Sequence, residues 1–213
     1  PRLSLSTYAE PGSTGTPASR SVVTDGPATR KCLPFPMYDD QFFADEDRVA
    51  AESAILTLPL IFDRLHIRTV IDIGCGTGAW AHAAQELGRA AVGVDHGVPA
   101  SLRRPIVYVD CDLTNGYPCS GFDLAICLEV AEHLPESAAV PLVNGLTRAG
   151  AVLFSAATPN QPGVGHVHCM PHDYWHDLFL TRMFQWEHVG PQLPDGVASF
   201  YKRNAFLYRR IAK

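Results

Sequence analysis

The chain has 213 residues, 46% of them hydrophobic and 18% charged, and at roughly 150 residues per domain it holds about 1.4 domains' worth of sequence. That usage excludes a wholly disordered or fibrous chain, and the length argues against a second full-sized domain. Seventeen Lys and Arg against 22 Asp and Glu give a net charge of −5, which argues against broad binding to nucleic acid phosphates.

Taken in chain order, Pro1 to Arg30 is dominated by Ser, Thr, Pro and Gly, as in Pro11-Gly12-Ser13-Thr14-Gly15-Thr16-Pro17. So few large apolar side chains do not offset the entropy of ordering. We read 1–35 as a flexible leader, either a tether or a lid over a ligand, and 36–213 as the folded domain. A helix is expected from Asp39 to Leu58, with Asp45, Glu46 and Asp47 at its positive end. Pro59 should break or kink it before the apolar piece Leu60 to Leu65.

Short β-branched runs then alternate with helical patterns: strands at Thr69 to Ile73, Ala91 to Val94, Ile106 to Val109, Phe122 to Leu128 and Ala151 to Ala157, and helices at Ala79 to Leu87 and around Ala138 to Thr147. A helix at Asp173 to Leu180 and strands at Phe184 to His188 and Asn204 to Ile211 complete the pattern. Continuous apolar strands alternating with helices imply a parallel sheet covered on both faces. The expected fold is α/β: one Rossmann-like domain whose mostly parallel seven-stranded sheet has an antiparallel last strand.

No apolar run approaches the ~18 to 20 residues that cross a bilayer, and the N-terminus lacks the order of a secretory signal. The expectation is a cytoplasmic protein without a membrane segment, a monomer or homodimer. Cys32, Cys75, Cys111, Cys119, Cys127 and Cys169 contain no C-x-x-C pair and read as reduced thiols.

Val70 to Trp80 is a strand that turns through Gly74, Gly76 and Gly78 into a helix. Glycines let backbone approach a ligand closely, and a helix start offers free N–H groups, so the loop suits a nucleotide-like ligand. Gly74, Gly76 and Ala79 also satisfy the dinucleotide pattern G-x-G-x-x-G/A, with Asp95 after the next strand suited to ribose hydroxyls. Against a dehydrogenase stand the short remainder of the chain and Asp72, a carboxylate that would repel a pyrophosphate and attract a cationic amino group.

With Val92-Gly93-Val94-Asp95, the acidic stretch Val109 to Thr114 and the segment Phe122 to Leu134, the order and spacing of these motifs resemble the class I S-adenosylmethionine-dependent methyltransferases from about Ile67 to Thr158. The resemblance implies that Asp72 and the loop of Gly74, Cys75, Gly76 and Gly78 hold the methionine part of S-adenosylmethionine. It implies further that Asp95 binds the ribose, that Asp112 faces the adenine amino group, and that Cys127, Leu128 and Glu129 line the sulfonium side. Asp95 and Asp112 also suit plain turn capping.

Five of nine histidines lie between Thr158 and His188, in a segment that starts where a strand ends, at the edge where open parallel sheets bind ligands. Gly165-His166-Val167 followed by Tyr174-Trp175 resembles small-molecule methyltransferases, with His168 where Asn is more usual. Transfer to a hydroxyl of a small-molecule acceptor calls for a base near neutral pH, which histidine supplies. His166 is the first candidate, His168 the second and His133 the third; the alternative is that these imidazoles only shape the loop.

Glu129, Glu132 and His133 have i, i+3, i+4 spacing and, with His166 or His168, offer ligands for a divalent metal. That arrangement resembles small-RNA 2'-O-methyltransferases that use metal on a ribose hydroxyl, and equally the Glu-Val-x-Glu-His-Leu of metal-free family members. His172 and His176, again four apart, could face a common ion but are expected on a helix surface. A non-catalytic module that binds S-adenosylmethionine or a partner is the reading from another class.

Overall fold

The computed structural model describes residues 40–117 and 119–212; the expected leader at 1–35, the helix start at Asp39, Cys32 and Lys213 lie outside the described residues. Helix α1, Asp40–Arg64, leads into strand β1, Thr69–Ile73, helix α2, Ala79–Glu86, and strand β2, Ala90–Asp95. Strands β3, Val107–Asp110, and β4, Leu124–Leu128, precede helix α3, Ala139–Leu146, and strand β5, Ala151–Ser155. Helix α4, His172–Leu180, strand β6, Phe184–His188, helix α5, Ser199–Asn204, and strand β7, Phe206–Arg210, follow.

The seven strands form one sheet in the order β3-β2-β1-β4-β5-β7-β6. Five of them run parallel, and β7 runs antiparallel to both β5 and β6. The order reverses between β1 and β4, and in such sheets ligands bind beyond the carboxyl ends of the strands at that reversal. The loops after β1 and β4 therefore start at the favoured place.

Alternation along the strands feeds two apolar layers. Val70, Leu124, Ile126, Leu153 and Leu207 pack with Leu58 and Ile61 of α1, Trp80 of α2 and Tyr201 of α5. Ile71, Ile73, Ala125, Val152, Phe154 and Tyr208 pack with Leu142 of α3 and with Trp175 and Phe179 of α4.

Two expected elements are corrected. Helix α1 runs through Pro59 to Arg64 instead of ending before it. Proline inside a helix costs about 3 kcal/mol, yet Leu58, Ile61 and Phe62 around it are buried, and each such side chain contributes about 1.5–3 kcal/mol. Burial wins. Asp45, Glu46 and Asp47 thus lie inside α1, beyond its first turn. At the other end, Asn204 closes α5 rather than opening a strand, because Tyr201 and Asn204 turn inward together and β7 starts only at Phe206. Among the described residues no helix is long and apolar enough to cross a membrane.

Candidate active site

The loop after β1 needs its glycines. Gly74, Gly76 and Gly78 have φ of 74°, 54° and 94°, the left-handed region that side chains disfavour. A Cβ on Gly74 would meet Val130 Cγ2 at 2.3 Å, and one on Gly78 would meet Ile106 Cδ1 at 2.6 Å, whereas the space over Gly76 is open. Gly74 and Cys75 donate to the Val94 carbonyl at 2.8 and 3.1 Å. Asp95 accepts from the Gly76 and His96 N–H groups, both at 2.6 Å, and buried Asp72 accepts from Ala81 N–H at 3.3 Å.

A tie that sequence reading missed comes from α1. Asp47 accepts from the Thr77 hydroxyl and from Nε and Nη2 of Arg104 at 2.8 and 2.7 Å. Against desolvation by burial, the Arg104 and Thr77 hydrogen bonds hold the Asp47 carboxyl below its usual range. A lone acid amid Asp45-Glu46-Asp47 gives no sequence signal of a partner 57 residues away.

Carboxylates gather at this edge of the sheet. Burial pushes Asp72 up to about 8, with the Ala81 N–H opposing and Asp95 adding. Burial likewise raises Asp95, against the hydrogen bonds from Gly76 and His96. Glu46 is raised by burial, then by Asp45 and Glu129, and Glu132 reaches about 8 through burial and Glu129. Arg104, the cation beside the loop, is engaged by Asp47. Such a basin favours a ligand that brings positive charge.

Beyond β4, Glu129 has φ of 52°, and its N–H donates to the Ser155 hydroxyl and carbonyl, both at 3.1 Å. Its carboxylate accepts from Gln161 Nε2 at 3.0 Å and from Asn204 Nδ2 at 3.3 Å. The Asn204 amide also donates to Gln161 Oε1 at 2.9 Å. Neither Gln161 nor Asn204 is expected at the site from sequence, since Asn204 reads as the start of a strand and neither residue belongs to a motif.

Glu132 is fully buried: Oε1 accepts from Ala157 N–H at 3.0 Å, its carbonyl accepts from Val167 and His168 N–H at 2.8 and 3.0 Å, and Oε2 has no partner. His133 meets His166 edge to face, ring centroids 4.9 Å apart, and His133 Nδ1 is buried without a partner. One ligand atom each of Glu132, His133 and His166 lie within 4.8 Å of one another. Glu129, the fourth expected ligand, lies against Glu132 but outside that group.

Nδ1 of His166 lies 3.2 Å from the Gln161 carbonyl and 3.5 Å from Cys169 Sγ. His168 is buried edge-on to Tyr174 and Trp175, its two ring nitrogens unpartnered. The side chain of Cys127 belongs to the apolar layer below the sheet, where burial pushes its thiol far up, so the main chain alone is left to a ligand. Leu128 packs in the opposite layer. Asp112 accepts from Thr114 N–H at 2.9 Å and caps a turn at the end of β3. His176, expected on a helix surface, is buried: it stacks on Trp186 and pairs with the Tyr208 hydroxyl at 2.8 Å, because α4 turns this side chain toward β6 and β7.

A protein-family model described as a methyltransferase domain matches residues 40–206. The chain belongs to that family, the class I S-adenosylmethionine-dependent methyltransferases. A ubiquinone biosynthesis O-methyltransferase of Pseudomonas paraeruginosa is 30% identical over 148 residues, 63% of this methyltransferase chain and 57% of the relative. One from Idiomarina loihiensis is 27% identical over 111 residues, 46% of each chain. The chain thus spans about half the length of the curated relatives it matches.

Human N-acetylserotonin methyltransferase, solved in complex with S-adenosylmethionine, superposes with a TM-score of 0.58 at 18% identity, covering 81% of this chain and 55% of that one. The methyltransferase domain of bacterial CtHen1 gives 0.51 at 18% identity, covering 74% and 96%. At these identities the two solved methyltransferases share the fold with this chain.

Proposed function

We propose that this methyltransferase domain, residues 36–213, moves a methyl group from S-adenosylmethionine to a hydroxyl oxygen of a small molecule, with His166 as general base and residues 1–35 as a leader. The observation that carries the reading is the loop of Gly74, Gly76 and Gly78, with open space over Gly76, the Asp95 carboxylate on the Gly76 N–H and buried Asp72 on the Ala81 N–H, both carboxyls raised by burial. S-adenosylmethionine fits this arrangement because it carries two positive groups, a sulfonium and an ammonium.

When bound, S-adenosylmethionine supplies an electrophilic methyl group and leaves as S-adenosylhomocysteine. Asp72 and the main chain of Gly74 to Gly78 hold the amino-acid end, and Asp95 takes the ribose hydroxyls in exchange for part of its loop hydrogen bonds. Between the Gln161 carbonyl at 3.2 Å, which can only accept, and the Cys169 thiol at 3.5 Å, His166 Nδ1 serves best as a donor, which leaves the lone pair on Nε2. That nitrogen takes the acceptor's proton as the oxygen attacks. Buried His168, enclosed by aromatic rings, suits support of the loop better than proton exchange with an acceptor. The curated relatives are named as O-methyltransferases, which favours oxygen.

Calorimetric titration with S-adenosylmethionine, S-adenosylhomocysteine and NADH tests the cofactor. Binding of the first two and not of NADH is expected; the reverse would promote the dehydrogenase reading. Methylation of a panel of phenols and catechols, lost in His166→Ala, tests acceptor and base.

A second reading rests on a separate observation. Glu132 Oε2 and His133 Nδ1 are buried without partners, with His166 in reach of both, a two-nitrogen, one-oxygen set that suits a divalent ion. There Glu132, His133 and His166 would hold the ion, which would lower the pKa of an acceptor hydroxyl, a ribose hydroxyl among them. Turnover that survives stringent chelation excludes this reading; loss restored by one added divalent metal supports it over the histidine base.

A further inference from the structure

Three side chains from distant parts of the chain close a ring beyond β4. Glu129 contributes a carboxylate, Gln161 and Asn204 contribute amides, and each carboxylate oxygen accepts from one of them, at 3.0 and 3.3 Å. The amides are joined to each other at 2.9 Å. Asn204 is fully buried, and Glu129 holds a left-handed backbone, φ 52°, which a non-glycine residue keeps only where its surroundings impose it.

The ring works against its own electrostatics. Glu129 lies close enough to Glu46 and Glu132 for their charges to repel, so the fold gathers like charges and orients one of them with neutral donors. An Arg or Lys in place of the amides would orient the carboxylate and cancel its charge. Amides orient it and leave the charge in place. A carboxylate fixed, partly buried and un-neutralised is complementary to a cation that arrives from outside.

We infer that Asn204 and Gln161 are positioning residues that aim the Glu129 carboxylate at the sulfonium of the methyl donor, and thereby set how strongly the site prefers charged S-adenosylmethionine over neutral S-adenosylhomocysteine. This rests on the proposed S-adenosylmethionine reading and deepens it: the ring governs exchange of spent for fresh cofactor, and with it product inhibition. Once the methyl group has left, the sulfur is neutral and the carboxylate no longer holds it.

The test is calorimetric titration of the full chain and its variants with S-adenosylmethionine and with S-adenosylhomocysteine, beside thermal unfolding. Asn204→Leu keeps the volume and removes the donor without adding charge. Gln161→Met removes the other donor at a half-buried position and keeps the length of the side chain. Each variant should lower the ratio of the two affinities about three- to tenfold, mostly by weakening S-adenosylmethionine, with S-adenosylhomocysteine affinity within about twofold of native. A merely structural role would weaken both ligands together and leave the ratio unchanged.

If Asn204→Leu does not fold, Gln161→Met alone decides. A native ratio in the folded variants overturns the inference and leaves the S-adenosylmethionine reading standing. An unsubstituted chain that binds neither ligand overturns both.

Discussion

The main-chain carbonyl of Gln161 lies 3.2 Å from Nδ1 of His166. It engages Nδ1 and leaves Nε2 to act as base, while Gly163 lies over the face of the ring, where a Cβ would come within 2.1 Å of Nε2 and 2.3 Å of Cε1. The imidazole keeps its place because residue 163 has no side chain. His166→Ala should therefore lower kcat by about 10²- to 10⁴-fold with little change in S-adenosylmethionine affinity. Gly163→Ala should approach the same loss by pushing the imidazole aside. Steady-state kinetics with calorimetry check both, and an unimpaired Gly163→Ala enzyme would remove His166 from the base role.

Asp72 connects ligand binding to protons. With its carboxyl pushed up to about 8 by burial, the free chain carries a proton there at pH 7, and a cationic ligand favours the ionised form. Binding of S-adenosylmethionine at pH 7 should release close to one proton. Titrations in buffers of different ionisation enthalpy measure this directly, and Asp72→Asn should abolish most of the release.

The same group shapes stability. Its folded pKa near 8 stands above an unfolded value near 4, so its contribution is full below about pH 4 and is lost as pH rises through about 8. His176 has the opposite sign: burial lowers it to about 4, so its contribution is present above about pH 6.5 and is lost as pH falls toward 4. Thermal midpoints measured from pH 4 to 9 should show Asp72→Asn flattening the alkaline decline and His176→Phe flattening the acid one.

Asp47 holds the loop after β1 to α1 through Thr77 and Arg104. Asp47→Ala should cost about 1–3 kcal/mol of stability, since it frees a partly buried guanidinium, and should weaken S-adenosylmethionine binding several-fold. Denaturant titration and calorimetry check the two effects. Weakened stability with native affinity would confine the tie to folding.

Much of the fold was legible because strands buried on both faces must be almost continuously apolar, as Leu124 to Leu128 is and Val70 to Ile73 is apart from Asp72, and because glycine at 74, 76 and 78 has few uses outside a tight strand-to-helix turn. Leu124 to Leu128 also shows the limit: with both faces buried, no polar position reveals which way Cys127 points. Pro59 stays inside the helix because the burial of Leu58, Ile61 and Phe62, which local propensity does not encode, outweighs it. Asp47 with Arg104, and Glu129 with Asn204, stand 57 and 75 residues apart. Pairs of that kind are set by topology, which periodicity does not encode.

The reversed direction of β7 has a consequence for who reaches the ligand edge. Phe206, where β7 begins, pairs with Phe154 near the end of β5, so the chain enters its last strand at the edge where the parallel strands leave theirs. A seventh strand laid parallel would have delivered its preceding residues to the far side of the sheet. By turning the final strand around, the fold recruits the closing tenth of the chain into chemistry laid out by its middle, and puts Asn204 within one hydrogen bond of Glu129.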